Sequence, residues 1–378
     1  MSISTTKYRV LLILLLFLAA GLRIYALGAP DELMFDETHY VPSAQTMAGT
    51  KPHPGMGAWA SHELIGRSPD TNFSHPPLGK LIIAAGILAF GDHTFGWRIT
   101  SALAGVLSIF ILVLIGRGLG LTPAGQLLCG WLVAVDGLHI SITRLAMLDG
   151  FLFLFSVMAV HGVLKYRKSQ NPWSVVYIAA SLGAALSVKE SALNVVAAVM
   201  LLLVLFGPET ESLKRRLLIA SAVGVGGLAF YGMSGFYYVK NGFSPIEWVQ
   251  FRAQVITKLV NPLADHRYGS KPWLWLFGQK PVWIYWHEAN NVVTGIVAIG
   301  NLVFWWLFLP ISLLFLSSVK RTSSIFHQIK NADVQNMIVL HGEDDAGAGL
   351  CPQFRVLRRF TSSRVENYRE TTRNLGAA

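Results

Sequence analysis

The stretch Met34-Phe35-Asp36-Glu37-Thr38-His39-Tyr40 sets two adjacent carboxylates and a histidine shortly after the apolar run Val10–Leu22. Other ionisable residues recur at the edges of apolar segments. They are Arg23, His75 and Lys80 within HPPLGK, Arg98, Asp136 and His139, Arg144 and Asp149, and the adjacent pair Lys189-Glu190. Such groups are costly in or near hydrocarbon, and where they occur they usually serve function. Their types suit a substrate that carries a phosphate. Arginine grips phosphate through a planar fork and lysine as a point charge. A nearby carboxylate can take the proton of an attacking hydroxyl, and fixed cations stabilise charge developing on a departing phosphate. In a membrane protein the natural phosphate donor is a lipid phosphate.

Each residue also has a plainer reading. Arg23 can snorkel to the headgroups. Lys189-Glu190 can mark a helical hairpin, Asp149 can pair with Arg144, and His139 reads best as a hydrogen-bonded core histidine. What argues against a set of coincidences is their shared side. The carboxylates collect on one face, whereas the short loops of the other face carry mainly Lys and Arg.

The elements that must position these residues are membrane helices. The chain has 378 residues, 53% hydrophobic and 14% charged, with a mean hydropathy of +0.47. Soluble domains carry about 25% charge. Apolar runs at 9–28, 97–116, 124–141, 145–164, 173–189, 190–207, 217–238 and 291–318 predict about eight spans. The first reads as an uncleaved span, not a signal peptide. Leu78–Gly91 is too short to cross and predicts an interfacial or re-entrant helix. Lys7, Arg9, Arg117, Lys165, Arg167, Lys168, Lys214, Arg215, Arg216, Lys320 and Arg321 all fall on one side, which makes that side cytoplasmic. The net charge of +10 reflects this bias, so nucleic acid is not an expected partner. Residues 28–96 and 239–290 then form two external loops. The second holds Trp248, Trp273, Trp275, Trp283, Tyr285 and Trp286, either as an interface belt or as a cover over a site. Cys129 and Cys351 imply neither a disulfide framework nor a cysteine metal site. The expected architecture is an all-α polytopic membrane domain over 1–321 with short interfacial helices in its loops. A polar tail, 322–378, follows, read as disordered or as the product of truncation or a frameshift.

The ordered motifs Arg23, FDETHY (35–40), HPPLGK (75–80), WRITSALAG (97–105), TRLAMLDGF (143–151), VKESA (188–192) and SKPWLWLFGQKPVWIYW (270–286) resemble the protein O-mannosyltransferases, family 39 of the GT-C glycosyltransferases. The resemblance covers about residues 8–318. A more distant likeness is to the aminoarabinose transferase of lipid A. The resemblance implies a GT-C helical bundle that moves mannose from polyprenyl- or dolichyl-phosphate-mannose to Ser/Thr hydroxyls of exported proteins. Transfer would be inverting and on the external face. It makes Asp36 the general base, with Glu37 beside it, held by Arg23 and Arg98 or helping to bind the acceptor. Arg98 and Lys189 become candidates for the lipid phosphate. His75 and Lys80 would shape the site, with Arg144 and Asp149 as further candidates. No cofactor is required, although an Asp-Glu pair can hold a divalent cation. The short second loop looks bacterial, which favours the plasma membrane over the endoplasmic reticulum.

The chain departs from the family in carrying Leu302 where a proline is usual and a polar tail where about three further spans are usual. Three alternatives follow: transfer of another lipid-linked sugar to a lipid or glycan, an inactive relative, and a transporter. A transporter would place its ionisable groups nearer mid-membrane.

Overall fold

The computed structural model describes residues 3–53, 70–72 and 74–260, together with 274, 277–279, 281–289, 292–304, 306, 307 and 310. All belong to one unit, Met1–Phe315. The expected polar tail, Trp273 and Trp275, and the end of the eighth expected span lie outside the described residues.

Helix boundaries follow local chemistry. Helix α1 (Thr5–Ile24) begins where Ser4 accepts a hydrogen bond from the Lys7 amide. Short α2 (Glu37–Ala48) ends on left-handed Gly49, φ 76°. The prolines of HPPLGK precede α3 (Leu78–Phe90), which stops at Gly91, φ 100°. Helix α4 (Thr94–Gly118) runs for 25 residues. Helices α5 (Pro123–Ala134) and α6 (Gly137–Thr143) start with Thr122 and Asp136 as side-chain caps. Then come α7 (Leu148–Ser169) and α8 (Pro172–Val188), the latter capped by Asn171. A 3₁₀ turn (Glu190–Ala192) leads into α9 (Leu193–Phe206). Helix α10 (Leu213–Ser234) is capped by Ser212 and runs into α11 (Phe236–Lys240), with α12 (Pro245–Val260) beyond.

Thr94–Gly118, Leu148–Ser169 and Leu213–Lys240 are long and apolar enough to cross a membrane. The pair α5 and α6, bent by 62°, gives a fourth if taken as one broken span. The bend falls where Asp136 leaves the expected 124–141 span to cap α6 through the His139 amide at 2.9 Å. Leu78–Phe90, Pro172–Val188 and Glu190–Phe206 are shorter apolar helices. Large side chains such as Phe17, Leu218 and Val225 stand exposed on the outside, as expected where lipid is the solvent.

The described residues are mostly helical, as the all-α expectation has it. One boundary needs correcting, because the eighth span does not begin at 291. Residues 282–289 and 292–298 form strands β1 (Val282–Ala289) and β2 (Val292–Ala298), paired antiparallel with Trp286 opposite Gly295. Helical residues resume only at 302. The run VVTGIVA is β-branched and short, and an apolar run of that length fits a strand as well as a helix.

The core that positions the site joins α2, α3, α4 and α7 through Tyr40, Val41, Ile83, Trp97, Leu148 and Phe151. Gly105 lets α4 approach its neighbours. A Cβ there would sit 2.8 Å from the Thr143 Cβ and 3.0 Å from the Arg23 Nε.

Candidate functional site

The loop before α2 presents Asp36 and Glu37 in opposite ways. Phe35 adopts φ 49°, a left-handed conformation that a bulky residue rarely takes. Such outliers concentrate at functional sites. Two residues on, Glu37 is fully buried. Its carboxylate accepts from Arg98 Nε at 2.8 Å and a second guanidinium nitrogen at 2.9 Å. It also accepts from the amides of Met34 at 3.0 Å and Ala146 at 2.8 Å. Arg98 spends its other donors on the carbonyls of Leu27, Pro30 and Glu32. The pair therefore ties the loop before α2 to the start of α4 and to the turn before α7.

Asp36 is only half-buried. Its side chain accepts from the Tyr40 hydroxyl at 3.3 Å and makes no capping bond to α2. Burial pushes its carboxyl above the usual range, against the Lys189 charge that lowers it; Asp149 pushes the same way as burial, and His39 and Tyr40 oppose. Lys189 Nζ lies 3.1 Å from Asp149 Oδ1, with side chains 23% and 32% exposed. Asp36, Lys189 and Asp149 thus form an open group of charges from three separate elements.

The other residues singled out in the sequence are engaged elsewhere. Arg23 does not reach the Asp-Glu pair. It is fully buried, donates to the carbonyls of Ala19, Val133 and Ala134, and donates to His139 Nδ1 at 2.8 Å. Its position near the end of α1 faces it toward α5 and α6, so of the two expected arginines only Arg98 holds Glu37. His139 is a buried histidine of the core, stacked edge-on against Phe153. Arg144 caps the end of α1 through the carbonyls of Leu22, Arg23, Tyr25 and Ala26. It does not pair with Asp149.

Lys80 is fully buried and bonded to Asp70 at 2.5 Å, to the His75 carbonyl at 2.9 Å and to the Asn72 carbonyl. His75 packs near Tyr40, with ring centroids 6.0 Å apart, and its Nδ1 lies 3.8 Å from Glu190. Burial, helped by Lys189, Lys80 and Arg252, pushes its imidazole down to about 3, so it stays neutral. Glu190, nearly buried, is held by Arg252 and lies 3.5 Å from the Tyr231 hydroxyl.

Asp70, Tyr238 and Arg252 were not legible as site residues. The Tyr238 hydroxyl donates to Asp70 at 2.6 Å, and Arg252 supplies the partner of Glu190 from α12. Their partners are 168 and 62 residues away along the chain. Beside this region lies an apolar groove of about 500 Å³, lined by residues including Leu78, Leu81, Ala184, Ser187, Phe230 and Met233, with Lys240 also on its wall. Among the described residues, no three of His, Cys, Asp and Glu gather as a metal would need.

A polyprenol-phosphate-mannose–protein mannosyltransferase from Mycobacterium tuberculosis is 34% identical over 163 residues, which are 42% of this chain and 28% of that protein. An undecaprenyl phosphate-alpha-4-amino-4-deoxy-L-arabinose arabinosyl transferase from Pseudomonas aeruginosa is 30% identical over 154 residues, 39% of this chain and 26% of that protein. The matched part of the chain therefore spans roughly a quarter of these curated relatives. Among solved structures, the S. cerevisiae protein O-mannosyltransferase Pmt1-Pmt2 complex bound to the sugar donor is similar in fold, with a TM-score of 0.51 and 24% identity, covering 64% of this chain and 35% of that one. The family model described as dolichyl-phosphate-mannose-protein mannosyltransferase matches residues 13–242, more than half the chain. With the Asp-Glu pair, the buried Arg98 clamp and the GT-C type helical bundle in place, the chain belongs to the dolichyl-phosphate-mannose-protein mannosyltransferase family.

Proposed function

We propose that this membrane protein transfers mannose from a polyprenyl-phosphate donor to Ser or Thr hydroxyls of exported proteins on the external face, with inversion and with Asp36 as general base. The observation that carries the reading is the contrast within the Asp-Glu pair. Glu37 is saturated by four donors, whereas Asp36 stands half-open beside Lys189 and Asp149. A raised carboxyl is a stronger base than an ordinary one and matches the need of a hydroxyl nucleophile.

In this mechanism the acceptor oxygen forms a bond to the anomeric carbon while the bond from that carbon to the phosphate oxygen breaks. The hydroxyl proton passes to Asp36, and the phosphate leaves with the bonding pair. The Lys189 ammonium stabilises the departing charge. Phosphate leaves readily without an acid, so one carboxylate suffices, unlike the two that flank a glycosidic bond in hydrolases. This chemistry asks for no cofactor. The apolar groove beside α3, α8 and α10 suits the prenyl chain, and Ser187 on its wall is two residues from Lys189. The bacterial relative supports the plasma membrane as the location.

The test is transfer of radiolabelled mannose from polyprenyl-phosphate-mannose to a Ser/Thr peptide by this chain in nanodiscs, with Asp36→Asn as control. Equal transfer by both forms would sink Asp36 as the base. The likeness to the arabinosyl transferase favours a second reading, a different lipid-linked sugar passed to a lipid or glycan acceptor. Offering undecaprenyl-phosphate-aminoarabinose in the same assay separates the two. No transfer from either donor would favour an inactive relative.

A further inference from the structure

We propose that Arg252 is a positioning residue, whose ion pair with Glu190 fixes the chain break that aims Lys189 at Asp36 and Asp149. The inference rests on the reading of Asp36 and Lys189 given above, but its geometry stands apart from any transfer.

Lys189 and Glu190 lie between α8 and the 3₁₀ turn. Lys189 is fully extended there, φ −159° and ψ 129°. In extended chain, consecutive side chains leave on opposite sides. Glu190 enters the protein and Lys189 turns out to Asp149. Fixing one side chain therefore fixes the other.

What fixes Glu190 comes from the second external segment. Trp248 and Arg252 are four residues apart on α12 and so share a face. Trp248 is buried against Tyr238 and Phe243, with its ring 5.4 Å from that of Tyr231. One turn on, Arg252 is 3% exposed and reaches Glu190 and the Ser74 carbonyl. Burial lowers its guanidinium to about 10, against the Asp70 charge that raises it, so it stays charged. Two buried charges that hold each other resist separation, because either alone would be left uncompensated. Helix α12 thus docks by an apolar anchor and a charged one, and the charged anchor ends at the residue next to Lys189.

The groups that act on Asp36 are Lys189 across from it, Asp149 on α7, and His39 and Tyr40 on its own helix. Arg252 acts on it through Lys189. Loosening Arg252 lets the ammonium drift and removes part of the positive potential that favours the Asp36 carboxylate.

The test titrates the Asp36 carboxyl by NMR of the full chain, labelled with carboxyl-¹³C aspartate, in nanodiscs. Asp36→Asn assigns the signal by difference. Lys189→Gln moves the midpoint upward. Arg252→Gln moves it the same way by at least half as much, and Arg252→Lys restores it toward wild type. The double variant goes no further than Lys189→Gln alone, because both changes act on one charge. An unmoved midpoint in Arg252→Gln, or shifts that add, would overturn the proposal. If Arg252→Gln does not fold, Glu190→Asp shortens the tether by one methylene and keeps the charge. It should raise the midpoint as well, and a wild-type midpoint there counts equally against the proposal. Transfer measured on the same samples is a separate readout. A coupled titration in a chain that transfers nothing supports Arg252 and refutes the catalytic reading.

Discussion

Asp36 and Glu37 are neighbours in sequence and opposites in surroundings. The same division separates Lys80 from Lys189. Glu37 and Lys80 are fully buried and bonded on every side, the one to Arg98 and two amides, the other to Asp70 and two carbonyls. Asp36 and Lys189 keep part of their surface open and lie within reach of each other's charge. On the function proposed above, the sealed region serves as scaffold and the open region is where a substrate would be met. Residue type alone does not divide them, since each region holds both a carboxylate and an ammonium. What divides them is how many donors and acceptors each group has already spent.

The contrast breaks first, and most heavily, on the sealed side. Arg98→Ala leaves the Glu37 carboxylate buried without its partner. Removing one member of a buried pair costs about 3–5 kcal/mol. Thermal unfolding of the purified protein in detergent should show that loss, or the variant should fail to accumulate. A variant that melts like wild type would mean that Glu37 is not sealed, and the division would fail at its centre.

Asp36→Asn should do the reverse. The carboxylate makes one weak side-chain bond, from Tyr40, so stability should stay within about 0.5 kcal/mol. Transfer should fall by about 10²- to 10⁴-fold, the usual worth of a positioned base. Measuring melting and turnover on the same preparation sets the two carboxylates side by side. A large loss of stability with Asp36→Asn would move it to the sealed region.

The sequence carried the identity of these groups further than their pairing. The Asp-Glu pair, the arginine that opens α4 and the short helix after HPPLGK were all legible, because each sits at a boundary marked by proline, glycine or a change of hydropathy. The partner of Arg23 was not. An arginine near the end of a helix can face several neighbours, and only packing against α5 and α6 decides that it meets His139. Asp70 and Tyr238 have no local signature, since each is completed by a residue far along the chain. Arg252 had one faint sign, its place four residues after Trp248, and so on the same face of a helix of mixed polar and apolar residues. The hairpin of β1 and β2 was misread because a short apolar run fits strand and helix alike, and only the pairing of Trp283 with Val297 and of Trp286 with Gly295 decides.

On the open side, Lys189→Gln should cost little stability. Its pair with Asp149 is partly solvated, and such pairs contribute about 0–1 kcal/mol. Use of the lipid-phosphate donor should weaken by about 10- to 100-fold, since a bond to a charged group contributes about 1.5–3 kcal/mol. Varying the donor concentration in the transfer assay reads this directly. Substituting Lys80 instead would hit folding before function, and finding the two lysines alike would erase the distinction.

The smallest effect sharpens the border between the regions, where His75 lies between Tyr40 and Glu190. Its folded pKa, about 3, is far below the ordinary value of 6.5, first because of burial and then because of the nearby Lys189, Lys80 and Arg252 charges. The sign follows from proton counting. Between these two values the unfolded chain binds a proton that the folded protein refuses, so stability is full above about 6.5 and declines as pH falls toward about 3. The slope this one group adds is on the order of 1 kcal/mol per pH unit. His75→Gln removes the titration while keeping a polar side chain of similar reach. The slopes of stability against pH, not the absolute values, carry the comparison, because a uniform offset between the two proteins cancels in the slope. Between pH 7 and 5 the wild type should lose stability more steeply than the variant. Equal slopes would show that His75 takes up its proton freely in the folded state, which would place it with Asp36 and Lys189 on the open side of the border.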